Sequence, residues 1–526
     1  MNDDTRAPRK PARRSFLGGV GLGVPAVLLA STLLEGCTPP PTKTGVTGFQ
    51  VKDFGAKGDG TTDDTAAFGN AFNAASAYGG GVVYVPPGRY RVSKLYVPSK
   101  CTLTGAGTAS WIQLLDNTSS TLLNIVGTDV TVSNLQIDGN ATGQANQSAL
   151  YDAVAIFPPA QRVRIHDCWV HDAIGYQVVA FTGCTDIVVA RNVVSGGAEE
   201  GIECHGSSEF RAVGNLVQEA GKNGIYVWAT SAQGGTCQAV VVAGNVVSDW
   251  SRNSVGWGGI VVDDGATDVT VSGNALVGSP GTGTGVAVSS EGPPPQRVTI
   301  SGNVVHDVAG VAVRIRNSRH TTVTGNTVAN AAAAGIQVWN QCTGIAVAGN
   351  VVDQSGNAGV QVLDASDFNV RANVVRSSGQ ATKVEQDATG IVVYSRHVTA
   401  SRGTVAANRT FDPATPPTQV HGTGTAGAVA DVVFDANIAD GNGSTAHEAM
   451  LTTFPGGATL LPTRAITSVT VGATQTAVLH GLGHTPGSVV VTARSAGQVW
   501  QSAPPNAFFV YLTADVAGRT CDLLVG

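Results

Sequence analysis

Between about residue 150 and residue 440, apolar side chains recur at every second position in runs of four to six. This is the period of a half-buried strand, and no run keeps a helical period long enough to compete. The runs are themselves repeated. The unit Gly-[Ile/Val]-x-[Val/Cys] begins at Gly201, Gly224, Gly259, Gly285, Gly310, Gly335, Gly359 and Gly390. Most copies are followed by a second alternating stretch that ends in Asn and then by a Val-rich stretch. The asparagines are Asn192, Asn215, Asn245, Asn274, Asn303, Asn326, Asn350, Asn373, Asn408 and Asn437, spaced by 23, 30, 29, 29, 23, 24, 23, 35 and 29 residues.

A basal period near 23 with insertions, carrying three short strands per period, predicts an all-β chain folded as a parallel β-helix. Each strand satisfies its backbone on the equivalent strand of the next coil, about 4.8 Å away. The asparagines are then expected to stack amide on amide at one corner and to supply the left-handed backbone of the turn there. They read as scaffold rather than catalysis.

The flanking segments follow different patterns. Residues 49–98 give a Gly-rich turn, then Asp63 and Asp64 as caps, then a helix to about Ala77 that buries Phe68, Ala71, Phe72 and Ala75. A solenoid end exposes apolar edges, so a cover of this kind is required. Asp59, Asp63 and Asp64 read as turn and cap residues, because a calcium loop needs a Glu at its end. The solenoid is expected over 99–440 and a linker over 441–465. A small β module follows over 466–526, in which His480 and His484 lie on a Gly-rich loop and read as part of a turn.

Composition agrees with a folded, helix-poor chain. Of 526 residues, 67 are Gly, and only 13% are charged against 42% hydrophobic, too apolar for disorder. A net charge of -6 leaves no basic footprint for nucleic acid. Residues 1–36 carry five basic and three acidic side chains, followed from Phe16 by an apolar run to Leu34 that is broken by four Gly and Pro25. Arg13-Arg14-Ser-Phe-Leu resembles a twin-arginine export signal. Without this net +2 the remainder would stand at -8. Leu34-Glu-Gly-Cys37 resembles a lipoprotein box, with Cys37 as the lipidation site, and residues 37–48 form a Pro/Thr tether. The expected location is outside the cell, as a surface lipoprotein or a secreted protein, with contact to a membrane only through a lipid at Cys37. The other seven cysteines form no CxxC pair, so no metal site is signalled. One disulfide among Cys168, Cys184 and Cys204 is left open.

The stretch VKDFGAKGDGTTDDTAAF, with GGGVVYVPPGRYRVS after it, resembles the opening of the pectate-lyase-like superfamily of right-handed parallel β-helices. That superfamily includes mannuronan C5-epimerases, polygalacturonase-type hydrolases and phage tailspikes. With the repeats, the resemblance covers residues 49–440 and implies a right-handed solenoid. The fold hosts lyases, epimerases, hydrolases and non-enzymes alike, so the reaction must be argued from side chains.

Alternation places the second and fourth residues after each repeat glycine on the outside. The first outward column is expected to read Gln177, Glu203, Tyr226, Val261, Ala287, Ala312, Gln337, Gln361 and Val392. The second is expected to read Val179, His205, Trp228, Asp263, Ser289, Arg314, Trp339, Leu363 and Tyr394. Flat rings mixed with carboxylates and guanidinium groups suit a sugar, which has an apolar face and a hydroxyl edge. Tyr226, Trp228, Arg314, Gln337, Trp339 and Tyr394 are therefore the expected binding residues, unless the insertions at 229–238, 248–258 and 278–284 fold over the rings.

Two schemes fit the catalytic candidates Glu203, His205, Asp263, Asp264 and Glu291. In β-elimination or C5 epimerisation of a uronate, His205 is the base, Tyr226 the acid and a cation neutralises the carboxylate. Arg314 lies four rungs from His205, roughly 19 Å, so a loop arginine such as Arg252 would have to serve. In glycoside hydrolysis, Asp263 and Glu291, one rung apart and about 8 Å from each other, would be the carboxylate pair, with Asp264 as a third acid. The family motifs match only in fragments. Asp263-Asp264 echoes one element of the polygalacturonase pattern, and Gly175-Tyr-Gln-Val-Val-Ala retains only the Tyr of the epimerase motif. His166-Asp167 and His171-Asp172 fall on other strands and read as structural. No cofactor is required by the sequence, and Ca2+ is the one left open. The expected partner is a polysaccharide that the protein cleaves or modifies. A non-catalytic glycan adhesin and a tailspike-like depolymerase are the other readings.

Overall fold

A computed structural model describes residues 48–145, 151–229, 235–253, 256–278, 281, 283–379, 390–411, 423–426, 429–435, 437–440, 464–471, 473–479, 489–493, 498–505, 509–517 and 519–525. Cys37 and the export segment, the 441–463 part of the linker, the His480 and His484 loop and the tips of the three insertions lie outside the described residues.

The alternating runs form strands because their apolar members reach one continuous interior. Val, Ile, Leu, Ala and Cys from successive coils make a single buried core from Val51 to Val432. One coil illustrates the plan. Ile202–His205, Ser208–Val213 and Leu216–Gln218 are its three strands, and each pairs in parallel with its equivalent one coil on, at Ile225–Trp228, Gln238–Ala243 and Val246–Ser248. First strands of all coils line up as a 13-stranded parallel sheet from Leu95–Val97 to Thr423–Ala426. The second and third strands belong to a 28-stranded sheet that wraps the rest of the cylinder. The chain is thus a β-solenoid of about 13 turns.

The asparagine column forms one hydrogen-bonded ladder. Both the backbone N–H and the side-chain amide of Asn192 donate to Oδ1 of Asn215 at 3.0 Å, and the pattern continues rung by rung to Asn437. Each side-chain amide also donates to a main-chain carbonyl of the preceding coil, as Asn274 does to Val242 at 3.0 Å. The left-handed backbone, however, falls on the residue before each asparagine from Asn192 to Asn408. Gly214, Gly244, Gly273, Gly302, Gly325 and Gly349 have φ between 62° and 67°, and Arg191, Ala372 and Ala407 take the same conformation. At six of these nine rungs glycine takes the left-handed backbone at no steric cost, which leaves the asparagine side chain to bond across the coils.

At the N-terminal end, the helix Thr65–Ala77 packs Phe68, Ala71, Phe72 and Ala75 onto the first coils. Asp64 stands at its N-cap position but accepts instead from the backbone N–H groups of Lys57 and Gly58, at 2.7 and 3.0 Å. Asp59 accepts from Thr61 and Thr62, and Asp63 from the N–H of Thr65, so these carboxylates pin turns. Residues 464–525 contain two three-stranded antiparallel sheets with their own small core of Val471, Val510, Leu512, Ala514 and Cys521.

The seven described cysteines are all buried and free, so no disulfide joins Cys168, Cys184 and Cys204. The sulfur of Cys204 instead meets that of Cys237, at 3.4 Å.

Candidate functional site

The outer face of the 13-stranded sheet carries the candidate side chains, and the register of the strands decides which of them meet. Glu203, Tyr226, Val261 and Ala287 stack in one column, and His205, Trp228, Asp263 and Ser289 in the next. Two coils depart from the expected register. Arg314 pairs with Ala287 and Gln337, so it belongs to the first column, and Arg316 takes the place beside Trp339 in the second. The reason is that Ala312, not Gly310, occupies the repeat-glycine position. Its carbonyl accepts from Val286, while Val313 donates to Gly335. Likewise Gln177 stands at the glycine position. Val179 then pairs with Glu203, and Phe181 falls in the second column with its ring 5.6 Å from that of His205. The corrected second column runs Phe181, His205, Trp228, Asp263, Ser289, Arg316, Trp339, Leu363 and Tyr394.

The face is more closed than expected. Tyr226 and Tyr394 are only 1% and 3% exposed, so neither serves as an open stacking platform. Tyr226 packs with Val261, Ala287 and Trp228, and Tyr394 with Ala358, Leu363, Val392 and Trp339, in two satellite cores outside the main one. Trp228, Trp339 and Phe181 remain half-buried and give this column its accessible aromatic surface.

Around Trp228 the polar groups form two connected sets. In the first, Nδ1 of His205 lies 3.1 Å from the carboxylate of Glu203, which is fully buried, while His205 itself keeps some exposure. The imidazole packs edge-on to Trp228 with ring centres 4.2 Å apart. Two coils before Glu203, Asp152 is buried and its carboxyl is pushed up to about 7. Desolvation is the main cause. The charges of Glu203 and Glu199 add to it, and the Tyr176 N–H and the Thr121 hydroxyl oppose it.

In the second set, the Tyr226 hydroxyl donates to Oδ2 of Asp263 at 3.0 Å, and the Ser289 hydroxyl donates to Oδ1 at 3.3 Å. Asp263 faces outward in its column yet is only 2% exposed. Asp264 accepts from the indole N–H of Trp228 at 3.3 Å and from the N–H groups of Glu291 and Gly292 at 3.0 and 3.1 Å. It thereby ties the turn after Thr284–Ser289 to the aromatic rung. The Glu291 side chain is exposed and lies 3.8 Å from Arg316.

Farther along, Arg314 donates to Gln337, Gln337 to Gln361, and Gln361 to the Tyr394 hydroxyl, at 3.1, 2.6 and 2.9 Å. The guanidinium of Arg316 lies 5.3 Å from the Trp339 ring centre. Arg252 is engaged with Glu219 at 2.8 Å. Phe181 and Arg316 were the members of this face that glycine spacing alone did not single out, whereas Ser289 stands where that spacing put it. The run Val313-Arg-Ile-Arg, with its own alternation, was the signal for Arg316.

The other histidine and aspartate pairs are tied into the scaffold. Nδ1 of His166 lies 2.7 Å from Asp167, whose carboxyl is held down at about 2, chiefly by Arg191. His171 bonds Asp172 and Gln136, and Asp138 accepts from Gln113 and the N–H of Asn140.

Residues 48–245 match a family model described as rhamnogalacturonase A/epimerase, pectate lyase-like, and residues 233–405 match that of the right-handed β-helix region. Alginate lyase 7 of Azotobacter vinelandii is 43% identical over 108 residues, 18% of this chain and 13% of the relative. Mannuronan C5-epimerase AlgE6 of the same organism is 46% identical over 87 residues, 15% of this chain and 10% of the relative. The pre-neck appendage protein of Bacillus phage B103 is 41% identical over 101 residues, 19% and 10% of the two chains. The matches therefore span 10–13% of the length of these relatives. Among solved structures, a variant of the tailspike of E. coli bacteriophage HK620 in complex with a pentasaccharide covers 91% of this chain and 93% of its own, with a TM-score of 0.55 and 13% identity. Bacteriophage phi29 gene product 12 covers 76% and 53%, with a TM-score of 0.55 and 18% identity. At these identities the structures speak to fold alone.

Proposed function

We propose that this pectate-lyase-like right-handed parallel β-helix protein is a polysaccharide-modifying enzyme working on the outer face of its 13-stranded sheet, by β-elimination or C5 epimerisation of a uronate. The observation that carries the reading is the order of one column, in which the half-buried ring of Trp228 stands between His205 on one rung and Asp263 on the next. A sugar stacked on Trp228 has a base on one side and an acid on the other.

His205 is the base. With the proton on Nδ1, the ring nitrogen 3.1 Å from the Glu203 carboxylate, Nε2 keeps the lone pair that accepts the C5 proton. As the imidazolium forms, the buried Glu203 charge stabilises it. Asp263 is too enclosed to touch a sugar directly. Its route to the groove is the half-buried Ser289 hydroxyl: carrying one proton on Oδ1, Asp263 gives it to the Ser289 oxygen while the Ser289 hydroxyl gives its own proton to the leaving oxygen or the opposite ring face, which leaves the Asp263 carboxylate. Tyr226, first assigned as the acid, is better placed as a positioning residue. Giving up its proton would leave a phenolate beside the Asp263 carboxylate, whereas donating to Oδ2 fixes that carboxylate. Arg316 and Trp339, two and three rungs beyond Asp263, would hold neighbouring sugars of an acidic chain by charge and stacking.

The partial similarity to an alginate lyase and to mannuronan C5-epimerases supports this reading. Incubation of the protein with a panel of polyuronates tests it, with ultraviolet absorbance reporting the unsaturated ends of elimination and proton NMR reporting C5 inversion. His205→Ala is expected to abolish turnover and leave thermal unfolding nearly unchanged. Full activity of that variant would remove the base from this position.

A hydrolytic depolymerase is the second reading, favoured by the carboxylates of Asp263, Asp264 and Glu291 around one turn. New reducing ends without absorbance would select it, and binding without either product would select an adhesin. The basic cluster and the apolar run at the N-terminus further support export, with Cys37 lipidated at the surface.

A further inference from the structure

We infer that Cys204 and Cys237 form a disulfide when the chain folds under oxidising conditions, closing one coil of the solenoid around the candidate site. The two sulfurs touch at 3.4 Å, and both residues belong to the main core. A disulfide needs a sulfur separation of about 2.05 Å, so the pair must close by about 1.4 Å.

Topology explains why these two meet and the other candidates do not. Thr185 pairs with Ser208, and Arg211 with Val241, so Cys184, Ser207 and Cys237 occupy one corner column on three successive coils. Ser207 therefore separates Cys184 from Cys237. Cys204 lies on the strand Ile202–His205 with its sulfur turned inward, and its neighbour at the corner of the next coil is Cys237.

The bond would have a local consequence. Cys204 precedes His205, and Cys237 ends the insertion that follows Trp228, with its thiol directed at the Trp228 carbonyl at 3.1 Å. The closed ring, residues 204–237, contains His205, Tyr226 and Trp228. Oxidation would tie the root of the insertion to the strand that carries the base.

Glutathione disulfide can serve as the oxidant. The thiolate of one cysteine attacks it, forming a mixed disulfide and releasing one glutathione thiolate. The thiolate of the second cysteine then attacks the protein-side sulfur, forming the Cys204–Cys237 bond and releasing the second. Two electrons pass to the oxidant, and the two protons end on the released thiols. Both sulfurs are fully buried, and burial together with the neighbouring Cys237 thiol pushes Cys204 well up, so the exchange belongs to folding, before the coils close.

The full chain is unfolded and refolded with glutathione in its oxidised and reduced forms, and separately with dithiothreitol. Thiols are then counted after denaturation, and the bond is located by non-reducing peptide mapping. The reduced chain has eight thiols. The expected result is six after oxidative refolding, with one bond mapped to 204–237 and a Tm about 4 °C above that of the reduced form. The Cys237→Ser variant is expected to show seven thiols under both conditions. Eight thiols after oxidative refolding of the unaltered chain, or a bond mapped to another pair, would overturn the inference.

Discussion

Tyr226→Phe removes one oxygen atom and little else, and the structure says what that oxygen does. The hydroxyl is 3.0 Å from Oδ2 of Asp263, and both residues are almost wholly enclosed. A hydrogen bond to a charged group in such a place contributes about 1.5–3 kcal/mol. The ring stays, so its packing with Val261, Ala287 and Trp228 is kept and no cavity term is added. Asp263→Asn keeps an oxygen for Tyr226 but removes the charge, which weakens the same bond from the other side. The two substitutions should therefore be far from additive. A double-mutant cycle by denaturant unfolding is expected to give a coupling of about 1.5 kcal/mol or more between them. In the uronate assay, Tyr226→Phe should lower kcat about tenfold or more with KM little changed, because its target is a group that acts in the transition state. Additive unfolding free energies, within about 0.5 kcal/mol, would refute the claim that Tyr226 holds Asp263. Unchanged kcat would refute the claim that this hold matters to turnover.

Two further outcomes follow from the same geometry. Asn274→Ala takes one rung from the middle of the asparagine ladder, losing the bonds to Val242 and Asn303 and orphaning two donors on Asn245. A loss of about 2–5 kcal/mol is expected from unsatisfied buried groups, larger than for Asn437→Ala at the partly buried end, and urea unfolding of the pair checks the order. Asp152 titrates at about 7 in the fold against 3.8 for the ordinary group, so the native state binds the extra proton between those values and stability falls as pH rises through that window. Asp152→Asn should flatten the fall, which amounts to roughly 4 kcal/mol for three pH units at ~1.36 kcal/mol each. An unaltered slope between pH 4 and 8 would show that Asp152 does not cause it.

The solenoid was legible because its physics is local and repeated. A period of two within strands, a period near 23 between them and one asparagine per coil leave few ways to satisfy the backbone, and parallel stacking is the one that buries every Val column. The asparagines are an instance in which function could be excluded from sequence, since ten equivalent positions cannot all be a site. Their partner glycines were harder to place. Sequence shows that a turn needs a left-handed residue somewhere, but the choice between Gly214 and Asn215 is made by hydrogen bonding across coils.

The site was legible only as a list of side chains on one face. Their neighbours depend on register, and a shift of two residues preserves the inward and outward pattern while moving a side chain to another column. That is why Arg314 and Arg316 exchanged places and Phe181 went unnoticed. Burial is likewise a property of the assembled coils. Nothing in the alternation distinguishes Tyr226, sealed and bonded to an acid, from Trp228, which stands two residues on and keeps a partly open face. Chain pattern thus set the cylinder, its core and the face on which chemistry can occur. Contacts between residues 23–37 positions apart decided which acid, base and ring meet, because those contacts come from neighbouring coils whose alignment no single repeat contains.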